Sequence, residues 1–196
     1  MNKSTENKIA EVIEASTVQF TAQCYELYEV PPLGSLVRTG DIYGIVGYAE
    51  TAGMEPGRKP VARGKDEATE EAVYKSSPQL KKLLRSEFTA AVVGYRKDGK
   101  IHQYLPPQPA KIHAFVYLCQ PGEVEEFSKS FSFLNILLNA AVPIPAEEFV
   151  AATLRQMSHV HDNSHDFLVT AGKELANLLE SNIARLKNIL EKLKIK

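Results

Sequence analysis

The sequence predicts an α+β protein in which a small antiparallel β-barrel comes first and a bundle of helices follows. Short runs rich in β-branched and aromatic residues fill positions 9–120, with glycine and proline between them, a spacing typical of small barrels and sandwiches. Beyond Pro121-Gly122, longer helical patterns replace the strand pattern. We therefore divide the chain into a flexible tail (1–8), a barrel (9–120) and a helical region (123–196).

Seven strands are predicted from apolar runs bounded by turn residues. Asp98-Gly99 is the strongest hairpin signal in the chain, because these residue types adopt the positive φ angles of a tight turn. Gly44 and Gly47 interrupt an apolar run, and isolated strand glycines indicate bulges or the curvature that a closing barrel requires. The predicted strands cover residues 9–13, 18–27, 33–37, 42–49, 88–95, 100–105 and 112–118.

A polar segment at residues 53–75 separates the fourth and fifth strands. It is basic first and acidic afterwards, and a short inserted helix follows it, with Ser77 as N-cap and Pro78 at the first helical position. Beyond the barrel we predict a bundle of about three helices, the third capped by Ser164. These helices cover approximately residues 123–139, 145–159 and 166–194.

Composition limits the classes of function. The 196 residues carry a formal net charge of −1, so no overall attraction to nucleic acid or to an anionic membrane is expected. Cys24 and Cys119 lie far apart in apolar runs and predict two buried, reduced thiols. The polar N-terminus lacks the apolar core of a signal peptide, and no window is apolar enough for a membrane span. We expect a soluble, cytoplasmic protein without a bound cofactor.

Three segments of the strand region carry a family likeness. They are a first strand at Ala10–Thr17, a Pro-x-Gly-x-x-Val turn at Pro32–Val37 and a Gly-x-Val strand at Gly44–Gly47. In this order, and with a proline-rich return strand after them, they resemble the HAS-barrel. This small β-barrel is shared by HerA-type ATPases and by the N-terminal domains of the ATP synthase α and β subunits. The likeness covers residues 8–118, and the chain is most similar to stand-alone HAS-barrel proteins.

The resemblance implies a docking role. In ATP synthase such barrels sit side by side in a ring, and in HerA-type ATPases the ring also receives a nuclease of the NurA type. The motor of those ATPases needs a phosphate loop, G-x-x-x-x-G-K-[ST], which this sequence lacks. Gly57 and Gly64 are spaced too widely for it, and Asp66 replaces the hydroxyl that would hold magnesium. We expect a non-enzymatic interaction or assembly module, with an ATPase or nuclease complex as its partner by resemblance.

Two groups of residues are candidates for contacts with other proteins. A basic loop between two glycines offers cations to phosphate or to an acidic partner surface. The last helix carries a leucine seam that can pack on its own domain or on a second subunit. The partner-binding candidates are Arg58, Lys59, Arg63 and Lys65, and the candidates for self-association are Leu179, Leu186, Leu190 and Leu193.

Two alternatives compete with docking. Tyrosines on the barrel strands, with the loop Arg58–Lys65, favour a single-stranded nucleic-acid-binding module, but the strands lack the excess of Arg and Lys that this function needs. Nucleic acid is therefore the less expected partner. The second alternative is a metal site, because one short segment contains three histidines and two aspartates, residue types that bind metal ions; the histidines are His159, His161 and His165. Structural zinc ligands, however, usually come from two separate chain segments. We predict no metal site and no catalytic residue. The tyrosines are Tyr25, Tyr28, Tyr43, Tyr48, Tyr95, Tyr104 and Tyr117.

Overall fold

The structure, a computed structural model, describes residues 8–55, 57 and 59–193, and Arg58 lies outside them. The predicted α+β class is confirmed, since an antiparallel sheet precedes most of the helices. The strands are β1 (Lys8–Ala15), β2 (Gln19–Cys24), β3 (Leu36–Thr39), β4 (Ile42–Gly53), β5 (Leu84–Lys97), β6 (Lys100–His102) and β7 (Phe115–Leu118). The helices are α1 (Glu70–Ser76), α2 (Leu80–Leu83), α3 (Pro121–Phe127), α4 (Phe133–Leu138), α5 (Ala146–Ser158), α6 (Ser164–Leu178) and α7 (Ile183–Leu193).

The seven strands pair in the order β2-β1-β7-β3-β4-β5-β6, and β2 also pairs with β5. The pairing register of β4 with β5 shifts beside Gly44 and again around Gly47, which confirms the irregularities predicted from these glycines. Asp98 and Gly99 have φ angles of 50° and 74° and join β5 to β6, so the predicted hairpin is confirmed.

Side chains on the central strands are buried on both faces of the sheet. Along β3, β4 and β5, alternate residues enter two different cores, as expected from the two-residue period of a strand. One core lies among the strands themselves and includes Val12, Phe20, Val37, Val46, Phe88, Val92 and Val116. The other lies between the sheet and the helices and includes Leu36, Tyr43, Ile45, Ala91 and Val93 with Phe127, Phe133, Phe149, Leu154 and Leu175.

Helix α5 is the centre of the helical layer. It contacts α4, α6 and α7, and Phe149 and Leu154 on it are fully buried. Its backbone approaches the sheet closely at Gly34, where an added Cβ would lie 2.5 Å from the carbonyl carbon of Ala152. Gly34 has a φ of +86°, so both its conformation and its surroundings require glycine.

The predicted bundle of about three helices is wrong in number, because the described residues beyond β7 form five, α3 to α7. The first predicted helix is interrupted between α3 and α4, where the Gln103 side chain forms hydrogen bonds with the main chain. Its amide donates to the carbonyls of Phe127 (2.7 Å) and Ser130 (3.0 Å) and accepts from the backbone N–H of Phe133 (3.2 Å). The third divides at Asn182, whose side chain accepts from the N–H of Arg185 at 3.1 Å.

Several element ends also differ from those predicted. Ser77 closes α1 through its N–H bond to the Val73 carbonyl and is not the N-cap of the inserted helix. Asn163, one residue before Ser164, caps α6 by accepting from the N–H of Asp166 at 3.1 Å. Cys24 and Cys119 are both buried, as predicted, and neither is in a disulfide. Among the described residues, no helix has both the length and the apolar character needed to cross a membrane.

Candidate functional site

A group of side chains on β1 and β7, with one from the chain just after β2, points away from the core and forms a surface that we call the open face. Because Ala10, Val12 and Val116 point into the strand core, Glu11 between the first two, and Phe115 and Tyr117 on either side of the third, point outward. Large side chains stay exposed there: Ile13, Tyr25 and Phe115 are 41%, 44% and 43% exposed. The open face consists of Lys8, Glu11, Ile13, Tyr25, Phe115 and Tyr117.

Cations hold the rings of the open face in position. The ammonium of Lys8 lies 4.3 Å from the ring centroid of Phe115 and 5.3 Å from that of Tyr25. At the neighbouring strand, the guanidinium of Arg38 lies 5.4 Å from the ring centroid of Tyr117. Contacts of this kind are favourable for a cation over an aromatic ring, so the rings have defined orientations although they face solvent.

Glu11 ties the same rings to the loop before β7. Its carboxylate accepts from the Tyr25 hydroxyl at 3.0 Å and lies 2.5 Å from Nδ1 of His113. Hydrogen bonds from His113 and then Tyr25 lower the pKa of Glu11 below its ordinary value. Burial, followed by the bond to Glu11, raises the pKa of Tyr25. Both groups therefore keep one charge state around neutral pH.

A second polar group joins the sheet to α3. The buried Tyr43 hydroxyl donates to Glu123 at 3.0 Å and accepts from Arg96 at 2.8 Å, while Arg38 also donates to Glu123, at 2.9 Å. Arg96 also pairs with Glu126 at 2.9 Å. Burial raises the pKa of Tyr43 to about 12, so the phenol stays protonated and serves to dock α3 on the sheet.

The basic loop lies between β4 and α1. Lys59, Arg63 and Lys65 are all exposed, whereas Arg58 is outside the described residues. The three described basic side chains are therefore accessible to solvent, and the predicted role of the loop in partner binding stays a prediction.

The leucine seam is engaged within the chain. Leu179 and Leu193 are buried in the core under the helices. Leu186 and Leu190 are partly buried and pack against that same core. All four leucine side chains therefore pack on the chain's own helices, which is one of the two arrangements that the sequence allows. Their part in self-association stays a prediction.

The three histidines do not converge. His159 follows α5 and is exposed, and His165 is exposed in the first turn of α6. His161 stacks on Phe167 with centroids 4.2 Å apart, and its Nε2 lies 2.8 Å from the Ser128 hydroxyl. Ser128 is only 1% exposed and also donates to a main-chain carbonyl, so His161 is fixed by contacts within the chain. Across the described part of the chain, no three His, Cys, Asp or Glu side chains are placed to hold a metal ion.

Neither the models of known protein families nor the curated proteins contain a match. The likeness to the HAS-barrel therefore stays a prediction.

Sequence reasoning found part of the open face. Tyr25 and Tyr117 were among the tyrosines considered, but Phe115, Glu11 and Lys8 were not singled out. The signal was present in β7, where Phe115 and Tyr117 flank the inward Val116. The structure adds that these rings are not covered by the helices, and exposed apolar patches of this kind mark interaction surfaces.

Proposed function

We propose that this chain is a non-enzymatic interaction module that docks on a protein partner through the open face of a closed β-barrel. The observation that carries the proposal is the exposed set of positioned aromatic side chains on β1 and β7 and beside β2. Tyrosine and arginine are enriched at protein interfaces and dominate their binding energy.

The pairing of β2 supports the closed barrel. Because β2 bonds with β1 on one side and with β5 on the other, the strands from β1 to β5 and β7 follow one another in a ring of hydrogen bonds. The small apolar residues Ala10, Ala22 and Ala90 lie with Phe20 and Phe88 among these strands. A barrel of this size is filled by its own side chains, so contacts with other molecules fall on its outside and its loops.

The chemistry of the open face specifies the kind of partner. Phe115, Tyr25 and Ile13 provide apolar area, while Lys8 and Glu11 add one charge of each sign. A folded protein surface with an apolar centre and charges of both signs at its rim complements this pattern. The HAS-barrel resemblance supports the same class of partner and suggests an ATPase or nuclease complex.

The test compares the open face with a matched exposed tyrosine elsewhere. The variant Tyr25→Ala/Phe115→Ala removes two rings of the face, while Tyr48→Ala removes a ring that is 37% exposed on β4. Partners retained by the wild-type protein are identified and purified, and their affinities for the three proteins are measured by calorimetry. We expect the double variant to bind at least about tenfold more weakly, as for a hot-spot pair, and Tyr48→Ala to bind as the wild type does.

Two results would contradict the proposal. One is a partner that binds Tyr25→Ala/Phe115→Ala and the wild type equally. The other is a partner whose binding is lost instead in Arg63→Glu/Lys65→Glu, because that result assigns docking to the basic loop. Thermal unfolding of each variant verifies that the barrel is intact.

A further inference from the structure

Three aromatic side chains meet on one side of the β5–β6 hairpin, away from the open face. Tyr95 pairs with His102 across the two strands, with ring centroids 5.2 Å apart. Tyr104, which follows β6, lies 5.6 Å from Tyr95 in an edge-on arrangement and 5.3 Å from His102. Its hydroxyl lies 3.2 Å from Nδ1 of His102, and the residue is 55% exposed. The cluster is therefore held together from within and still presents ring surface to solvent.

Exposed lysines lie on both strands of the hairpin that carries this aromatic cluster. Residues 95–102 contain three basic side chains and one acid, although the whole chain has a net charge of −1. Lys97 and Lys100 flank the hairpin turn and are exposed. Arg96 is committed to Tyr43 and Glu126, so the two lysines are the hairpin cations available to a ligand.

Two clefts border the hairpin. The larger, of about 530 Å³, is lined by Tyr95 and Lys97 on the hairpin and by Lys111 and the proline-rich segment 106–110 opposite. The smaller, of about 370 Å³, is lined by His102 and Tyr104 together with Lys129. Volumes of a few hundred cubic ångströms accommodate single small organic groups. Each cleft thus combines ring surface with a lysine at its border.

We propose that the β5–β6 hairpin binds single-stranded nucleic acid, with bases stacked on the cluster of Tyr95, His102 and Tyr104 and phosphates on Lys97 and Lys100. Bases stack on aromatic side chains with little regard to sequence, and lysines follow the backbone charge. Exposed rings alone would also suit a cationic ligand, but Lys97 and Lys100 repel cations. A duplex hides the faces of its bases, so the cluster selects single strands.

This inference does not depend on the proposed docking function. It differs from the sequence-based expectation, which ranks nucleic acid below a protein as the partner. That expectation was based on the lack of Arg and Lys along the tyrosine-bearing strands. The fold places Tyr104 beside Tyr95, nine positions earlier in the sequence, and brings Lys111 to the border of the cleft that Tyr95 lines. The basic loop Arg58–Lys65 takes no part in the proposed site.

The test is fluorescence anisotropy with labelled oligouridylate and oligothymidylate of about 12 nucleotides, between about 50 and 200 mM salt. We expect Tyr104→Ala to weaken binding by about tenfold, as loss of one stacking platform does, and Tyr104→Phe to retain it because the ring remains. Lys97→Glu/Lys100→Glu should weaken binding further and reduce the salt slope by about 1.4, the value for two phosphate contacts on a single strand.

The matched controls replace an exposed tyrosine away from the hairpin (Tyr48→Ala) and an exposed lysine on α7 (Lys187→Glu). Both variants should bind as the wild type does.

The proposal is overturned if the wild type does not bind at physiological salt, or if it binds a duplex of the same length equally well. It is also overturned if Tyr104→Ala binds as the wild type does, or if a polyglutamate peptide competes as effectively as RNA, since either result shows that base stacking is not used. Thermal unfolding verifies that each variant is folded.

Discussion

The two halves of the sheet's outer surface differ in what covers them. Outward residues of the central strands, such as Ile45 on β4 and Val93 on β5, are buried under the helices, whereas Ile13 and Phe115 on β1 and β7 face solvent. Large rings at outward positions in the uncovered half are not explained by packing within the chain, and this contrast is the basis of the proposed docking surface.

The largest expected effect comes from making the same substitution in both halves. Phe149→Ala, on α5 in the core between the sheet and the helices, should lower the free energy of unfolding by about 3–5 kcal/mol, because it opens a cavity at a fully buried ring. Phe115→Ala, on the open face, should lower it by less than about 1 kcal/mol. Urea unfolding followed by circular dichroism measures both values. Equal losses would show that the two halves are covered alike.

Two glycines with positive φ angles test how closely α5 packs against the sheet. Gly34 (φ +86°) faces the backbone of α5, while Gly40 (φ +56°) has no atom within 4 Å of the position of an added Cβ. Both alanine substitutions impose strain of about 1–2 kcal/mol from the left-handed backbone conformation. Gly34→Ala should cost about 1–3 kcal/mol more, because α5 must move away. Chemical unfolding of the two variants gives this difference directly, and a difference of zero would contradict the close approach of α5.

The smallest expected effect concerns the ion pairs that hold α5 and α7 together. Glu148 pairs with Lys192 at 2.8 Å and with Arg155 at 3.1 Å, and hydrogen bonds from Lys192 and then Arg155 lower its pKa. Its contribution to stability is therefore present above the unfolded carboxyl pKa of about 4.3 and is lost as the pH falls through the lower pKa of the folded state.

Glu148→Gln removes this pH-dependent contribution. At neutral pH the variant should be less stable than the wild type by under about 1 kcal/mol, since the pair is partly exposed. The difference should shrink as the pH falls from the unfolded carboxyl pKa through the lower pKa of the folded state, because the wild-type carboxyl becomes protonated. Unfolding at several pH values, with Glu180→Gln in the exposed turn after α6 as control, tests the sign; a difference that grows in acid would contradict it.

Local chemistry explains which parts of the fold were predicted. The Asp98-Gly99 hairpin and the irregularities at Gly44 and Gly47 depend on the conformations that these residue types adopt, so the sequence indicates them directly. The helix break after α3 depends on Gln103, which is distant in sequence and satisfies main-chain groups on both sides of the break. No periodicity within residues 121–139 contains that information.

The candidate surfaces, too, are partly indicated by the sequence and partly decided by the fold. Tyr25, Tyr95 and Tyr104 belong to the seven tyrosines that the sequence indicates as possible stacking faces for single-stranded nucleic acid. Their separation into the open face and the hairpin cluster depends on strand pairing, which brings Phe115 beside Lys8 and His102 beside Tyr95. Side-chain direction alternates along each strand, but the neighbours across strands are set by register.

The sequence by itself determined the α+β class, most of the strands, the tight hairpin and the buried thiols, since each depends on short-range patterns of residue type. Only the tertiary structure decided the pairing of β2 with both β1 and β5, the number of helices beyond β7, and which half of the sheet's outer surface remains uncovered. Long-range contacts make these choices, because the same alternating strand can face a helix or solvent, and its own residues do not distinguish the two until the helices pack.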